Sequence, residues 1–374
     1  MADELYIGLM SGTSLDAIDC ALCSFGKAKT DNSVKLHATY LHQFPDEIRS
    51  QLLELINNPD TLDKESLGPL DRALGHVYAE AANELLRASG YAKNQITAIG
   101  NHGQTVMHDP DANPGFSLQL GDGQTIAKET GITTVIDFRN ADMALGGQGA
   151  PLAPCLHNFA FARPNENKVI LNLGGIANIT VLPATGEITG YDTGPSNTLM
   201  DMWCNKHTGK HFDENGSWAK SGTVNSPLLK AMLEDDYFQL PPPKSTGREY
   251  FHLNWLQHYL DQTDPIDSAD VQATLAELTA KTVADSISNS PRGDVLVCGG
   301  GVFNPYLMER IAAQLPDRCV TPLPEDILPP EWVEAAAFAW LARARIHNEP
   351  AGLPSVTGAS APALLGVIHN PPES

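Results

Sequence analysis

The sequence predicts an α/β protein of two lobes with a cleft between them. Three observations carry that expectation. Apolar strands alternate with segments of helical periodicity along the chain. A strand–turn–strand opening at residues 5–22 returns in outline at 169–182. The length, 374 residues, suits two domains of roughly 100–200 residues each. The expected lobes are 1–160 and 161–374. Ligands of such proteins usually sit at strand ends and domain interfaces.

Taken in order, Leu5–Met10 reads as a strand, 11–14 as a turn and Ala17–Leu22 as the returning strand. Alternation predicts a third strand over Val34–Gln43. Leu70, Leu74, Val77, Ala81 and Leu85 recur at helical spacing within 68–90, and Gly90 suits the stop. Ile96–Asn101 and Thr133–Ile136 are short buried strands. Gly146–Gly149 is a flexible joint before an apolar helix at about 151–162. The pattern then restarts with strand Val169–Leu173, turn 174–178 and strand Ile179–Leu182, a weak internal duplication of architecture rather than of residue identity. Further helices carry Val271, Leu275 and Leu278, and Leu307, Ile311 and Leu315. Between them Val295–Cys298 is a strand running into Gly299–Gly301. An alanine-rich helix at 331–346 carries Glu334.

Charge narrows the function classes. Lys+Arg is 24 and Asp+Glu is 45, so the formal charge is 24 − 45 = −21. A surface that acidic repels nucleic acid and anionic lipid. A small anionic ligand remains compatible, because it answers to local dipoles. Cys20 and Cys23 form a CxxC, but no second Cys or His pair stands at partner spacing. The opening is acidic and no apolar run reaches the roughly 18 residues of a membrane span. The expectation is a soluble, cytoplasmic protein without membrane or nucleic-acid partners.

Three glycine turns, Gly12–Ser14, Gly174-Gly175 and Gly299–Gly301, each end an apolar strand. Main-chain N–H groups at such turns attract phosphate oxygens. One such turn is most often structural, since Gly is the default where φ is positive. Three of them are harder to dismiss. None has the P-loop or dinucleotide-binding glycine pattern.

The order of these pieces resembles the sugar kinase/heat-shock/actin superfamily, with two phosphate hairpins and a late adenosine loop. Within it, Gly8–Asp16, Asn101–Thr105, Asp137–Arg139 and Gly146–Leu152 are similar to motifs of the anhydro-N-acetylmuramic acid kinase family. So are Asn172–Gly175, Asp192–Pro195, Lys244–Glu249 and Cys298–Gly301. Ala17 and Ser196 stand where that family usually has Gly. The superfamily's aspartates near Met10 and Asn172 are absent here. The metal ligands are therefore unknown, with Asp16 and Asp19 as candidates.

The resemblance implies a two-lobed actin-like ATPase fold of duplicated ribonuclease-H-like domains with an interdomain cleft. It implies ATP and Mg²⁺ as cofactors, a small-molecule sugar substrate and a homodimer. The implied reaction opens 1,6-anhydro-N-acetylmuramic acid with water and phosphorylates O6, in cell-wall recycling. Nucleotide contacts are implied for Gly12, Thr13, Ser14, Leu15, Asp16, Ala17, Ile18 and Asp19. They are also implied for Gly174, Gly175, Asn178, Gly299, Gly300, Gly301 and Asn304.

Asp192, at an expected strand-to-turn position, is the candidate base for water. Such a base contributes about 10²–10⁴-fold; the alternative is a turn Asp bonding its own backbone. His102 and Gln104 follow a strand end and can bond sugar hydroxyls. Arg139 offers a fork for the lactyl carboxylate, or an ion pair with Asp137 or Asp142. The resemblance places Glu334 near the sugar; the alternative is a dipole-favoured helix N-terminal Glu. Lys244 and Arg248 lie in a loop that either closes on ligand or links two helices. Other superfamily enzymes and a non-catalytic nucleotide switch are the competing readings.

Overall fold

Strand Leu5–Ser11 (β1) is buried along its whole length, as an apolar run without alternation requires. In the computed structural model, which describes all residues except 1–2, 13–14, 16, 27–31, 58–63, 111, 326 and 374, it is the centre of a mixed sheet. The other strands in chain order are β2 (Ile18–Phe25), β3 (Val34–His42), β4 (Ile96–Asn101), β5 (Gln104–Asp109), β6 (Phe116–Leu120) and β7 (Thr134–Ile136). They continue as β8 (Lys168–Leu173), β9 (Ile176–Leu182), β10 (Thr189–Pro195), β11 (Asp294–Cys298), β12 (Val320–Pro322) and β13 (Val367–His369).

The chain divides into two compact units. The first comprises Met1–Ala160, Asp326–Leu328 and Trp332–Ser374; the second comprises Phe161–Glu325 and Pro329–Glu331. The first unit's sheet has the order β13-β7-β4-β1-β2-β3. Its β1, β2 and β3 form an antiparallel meander, and β4 and β7 add in parallel on the other side of β1. The second unit's sheet has the order β10-β9-β8-β11-β12. There β8, β9 and β10 form the meander, and β11 and β12 add in parallel beside β8. Numbering the strands of each sheet in chain order, both sheets share the order 3-2-1-4-5 with the same strand directions, and the first adds β13, antiparallel, beside β7. This is the duplicated ribonuclease-H-like topology of actin-like ATPases. The repeat lies in connectivity, where the sequence placed it.

Each unit has its own apolar core. Helix Lys64–Ser89 sends Leu70, Leu74, Val77, Ala81 and Leu85 into the first, at the predicted spacing. Helix Ser268–Ser288 sends Val271, Leu275 and Leu278 into the second.

The C-terminal segment corrects the expected boundary. Helix Val333–Ile346, assigned by sequence to the lobe 161–374, packs on β1, β2 and β4 of the first unit. The physical reason is a pair of glycines. Gly8 on β1 and Gly100 on β4 lie side by side in register. A Cβ on Gly8 would overlap the Ala335 carbonyl oxygen, and one on Gly100 the Phe338 carbonyl oxygen. The bare strands and the alanine-rich helix fit each other closely, which fixes this helix to the first sheet.

Candidate active site

In the first unit, β1 ends at Ser11 and its parallel neighbour β4 ends at Asn101, so the loops after both strands leave from one sheet edge. That is where open α/β sheets place ligands. In the first turn, Gly12 O accepts from Leu15 N–H (3.3 Å). Leu15 is fully buried at φ +56°, and its carbonyl accepts from Arg49 Nε (2.9 Å). Thr13, Ser14 and Asp16 lie outside the described residues. Ala17 is half-buried. Ile18 is fully buried in β2, so its side chain belongs to the core. Asp19 is half-buried, opposite Met10 on β1 and Leu41 on β3.

After β4 the chain runs through His102 and Gln104. His102 Nε2 receives two Arg139 donors, Nη2 at 2.8 Å and Nε at 3.3 Å. A guanidinium only donates, so this nitrogen is the acceptor and the ring proton sits on Nδ1. Burial, and then the Arg139 charge, hold the His102 pKa well below the ordinary value, so the ring is neutral. Arg139 also donates from Nη1 to Gly149 O (2.8 Å). Gly149 N–H in turn reaches Asp142 Oδ2 (2.9 Å), and Thr357 Oγ1 donates to Asp142 Oδ1 (2.7 Å). Arg139 and Asp142 are thus linked through the Gly149 peptide, and the Arg139 charge also acts on the Asp142 carboxyl. Gln104 is fully buried, and its Oε1 has no hydrogen-bond partner among the described residues. Phe338 packs against His102 with ring centroids 4.7 Å apart and the planes tilted by 41°. Glu334 stands one turn before Phe338 in the same helix, which puts it on the His102 side of that helix. The first unit therefore gathers His102, Gln104, Arg139 and Glu334.

The second unit gathers the other candidates. Cys298, Asn172, Asn178 and Asp192 occupy one row across β11, β8, β9 and β10. Side chains in one row share a face. Gly174 and Gly175 form the two-residue turn between β8 and β9. Their carbonyls accept from the start of helix Asn197–Thr208: Asn197 N–H to Gly174 O (3.1 Å), Ser196 and Thr198 N–H to Gly175 O (both 3.0 Å). Gly299, at φ +81°, passes so close to the Asn172 side chain that a Cβ would overlap Asn172 Oδ1. A Cβ on Gly301 would stand 2.6 Å from Leu173 Cβ, whereas one on Gly300 would meet nothing within 4 Å. The second and third glycine turns thus lie together, with Gly300 facing open space. Asn178 Oδ1 is buried without a hydrogen-bond partner among the described residues. Asn304 caps helix Pro305–Gln314, its Oδ1 accepting from Leu307 N–H (3.0 Å), so its side chain is engaged in the fold.

Asp192 departs from its expected strand-to-turn position. It lies within β10, an edge strand, where the register with β9 shifts between Asp192 and Gly194. Such bulges re-aim side chains. The residue is 7% exposed, and its Oδ2 accepts from Thr246 N–H (3.0 Å). The Lys244–Glu249 segment therefore touches the candidate base directly.

A model of the anhydro-N-acetylmuramic acid kinase family matches residues 4–371. The chain belongs to this family. A relative so named from Vibrio cholerae serotype O1 is 49% identical over 372 residues, covering 98% of this chain and 99% of its own. One from Saccharophagus degradans is 48% identical over 377 residues, covering 99% and 100%. Among solved structures, the chain is similar to the activator of the 2-hydroxyisocaproyl-CoA dehydratase from Clostridium difficile with bound ADPNP. That likeness has 13% identity and a TM-score of 0.45 over 92% of this chain and 96% of that one.

In this member of the anhydro-N-acetylmuramic acid kinase family, the CxxC is not a reactive pair. Cys20 and Cys23 are buried in β2, and burial pushes the Cys23 thiol up to about 12 and raises Cys20 as well. Sequence reasoning named Asp142 only as a possible ion-pair partner of Arg139 and missed Tyr237; both support the candidate side chains. Nothing in the local pattern marked Tyr237.

Proposed function

We propose that this chain is an ATP-dependent kinase that opens 1,6-anhydro-N-acetylmuramic acid with water and phosphorylates O6, giving N-acetylmuramic acid 6-phosphate and ADP. The observation that carries the reading is the row Cys298–Asn172–Asn178–Asp192, which sets one carboxylate in the same sheet face as two glycine turns. Asp192 accepts the proton of the water that attacks C1. As C1–O6 breaks, its electron pair stays on O6, which bonds the γ-phosphorus, and the bond to the leaving ADP oxygen breaks. Coupling the two steps means that neither a free alkoxide nor a free phosphate has to leave the site. Phosphoryl transfer then needs mainly positioning and charge neutralisation.

Gly12, Gly174, Gly175 and Gly299–Gly301 are assigned to the nucleotide, with Thr13, Ser14, Leu15, Asp16, Ala17, Ile18 and Asn178 beside them. The unpartnered Asn178 Oδ1 supports a polar ligand at that row. Asn304 serves by holding the third turn's exit. His102, Gln104, Arg139 and Glu334 are assigned to the sugar. The unpartnered Gln104 Oε1 suits a sugar hydroxyl, neutral His102 donates through Nδ1–H, and Arg139 supplies the charge for the lactyl carboxylate.

Mg²⁺ belongs to the same reading. Among the described residues no group of three or more His, Cys, Asp or Glu could hold a metal. That fits an ion bound chiefly through phosphate oxygens with one or two carboxylates, for which Asp19 is the described candidate. When bound, Mg²⁺ would supply charge neutralisation for the nucleotide phosphates, with Asp19 as the described residue that would help to hold it. The family resemblance further supports a homodimer acting in the cytoplasm; sedimentation and cell fractionation test those two readings. Among the described residues no helix is long and apolar enough to cross a membrane.

The deciding experiment is ADP release with anhydro-N-acetylmuramic acid, ordinary N-acetylmuramic acid and N-acetylglucosamine. Stoichiometric ADP and 6-phosphate with the anhydro sugar alone is expected. Equal release with all three, or none with the anhydro sugar, removes the assignment.

A further inference from the structure

We propose that Tyr237 is a positioning residue for Asp192, closing the exposed edge of β10 at the one residue whose geometry the reaction needs. The proposal rests on the reading of Asp192 as the base. In the second sheet β10 is the outermost strand, so on its outer side no strand is available for its peptide groups. At Asp192 that edge is met by the segment 237–246 instead. Asp192 N–H donates to Lys244 O (3.1 Å), and Asp192 O accepts from Tyr237 Oη (2.7 Å). Thr246 N–H reaches Asp192 Oδ2 (3.0 Å). The backbone donor, the backbone acceptor and the carboxylate of one residue are all fixed by a single stretch of chain.

Tyr237 joins the pieces of that stretch. It is 4% exposed. Its carbonyl accepts from Lys244 Nζ (3.1 Å), and the same ammonium lies 4.6 Å from the centroid of its ring. Lys244 is itself buried; burial lowers its pKa and the Asp192 charge opposes that shift. The Tyr237 N–H donates to Asp235 Oδ1 (2.9 Å). Asp235 also accepts from Tyr250 Oη (2.7 Å), Trp255 Nε1 (2.8 Å) and Tyr259 Oη (2.8 Å). Glycine makes the approach possible: at Gly194, φ +145°, a Cβ would stand 2.7 Å from the ring of Phe238.

A bulged edge strand left to itself is free to shift, and a misplacement of about 1 Å can cost up to 10²-fold in rate. The Tyr237 hydroxyl removes that freedom without touching substrate. Tyr237→Phe deletes one oxygen and keeps the ring under Lys244. The expected result is a fall in kcat of about tenfold, with KM for ATP and for the anhydro sugar within about twofold of wild type. Tyr259→Phe is the control, because it deletes a comparable hydrogen bond yet leaves Asp235 its other donors; its kcat should match wild type. A Tyr237→Phe enzyme with wild-type kcat, or with kcat no lower than that of Tyr259→Phe, overturns the proposal. Should Tyr237→Phe not fold, Lys244→Met takes its place: reduced kcat at unchanged KM supports the clamp and unchanged kcat overturns it. Asp192→Asn separates the two claims. If that variant turns over normally, the base assignment fails; if it is inactive while Tyr237→Phe is normal, only the positioning role fails.

Discussion

Gly299 and Gly300 are chain neighbours under opposite constraints. Gly299 has φ +81° and no room beside Asn172, while Gly300 faces open space. A side chain at Gly299 therefore damages the fold, and one at Gly300 obstructs only what approaches from outside. Gly300→Val is expected to keep the wild-type urea midpoint and to weaken ATP binding at least about tenfold by calorimetry, since a nucleotide must come close to this backbone. Unchanged ATP affinity would remove Gly300 from the phosphate or adenosine contacts. The sequence made these glycines conspicuous because each ends an apolar strand. It could not tell which of them is confined, because the confining atoms, Asn172 Oδ1 and Leu173 O, come from a strand more than a hundred residues earlier. Asn304 shows the same limit: its place after the glycine run is visible, but its helix-capping bond is a matter of local geometry.

At the scale of elements, the alanine-rich helix Val333–Ile346 and the strands β1 and β4 depend on one another through Gly8 and Gly100. Gly100→Val inserts a branched side chain where the Phe338 carbonyl already sits. It should cost at least about 1–3 kcal/mol of stability in urea unfolding, the usual cost of overpacking. Wild-type stability would mean that the helix does not seat on this strand pair. Strands with unbroken apolar runs and helices with clean 3.6-residue spacing were legible in the sequence. The hairpin β5–β6 was not, because its strands are only partly buried and mix polar with apolar residues. Nor was the full length of β10: Thr189–Pro195 holds two glycines and a proline, and the sequence reads Asp192 at a strand-to-turn position. Tertiary bonds from Lys244 and Tyr237 make it a strand edge all the same. The C-terminal helix was recognised as a helix, but its partner sheet was misassigned, since an alanine stripe names no neighbour.

For the whole molecule, buried histidines set the acid limit of the first unit. Burial lowers His157 to about 3; burial and the Arg139 charge lower His108 to about 4 and His102 well below its ordinary value. The unfolded chain takes up these protons as pH falls through about 6.5, whereas the folded chain does so only at lower pH. Their contribution is complete above pH 6.5 and is lost progressively below it. Asp71, Asp142 and Glu249, raised chiefly by burial, push the other way. The histidine part is isolated by comparing His157→Leu with wild type. The loss of unfolding free energy between pH 7 and pH 5 should be smaller in the variant; an identical loss would contradict a neutral buried His157. Two units built on one strand order were foreseeable from the repeated strand–turn–strand opening, but the return of Trp332–Ser374 to the first unit was not.

The most direct test of the account is the Asp192→Asn enzyme, assayed for ADP release with the anhydro sugar and, by calorimetry, for ATP binding. The account predicts ATP affinity within about twofold of wild type and turnover reduced by about 10²-fold or more, as loss of a general base requires. Turnover close to wild type would contradict it.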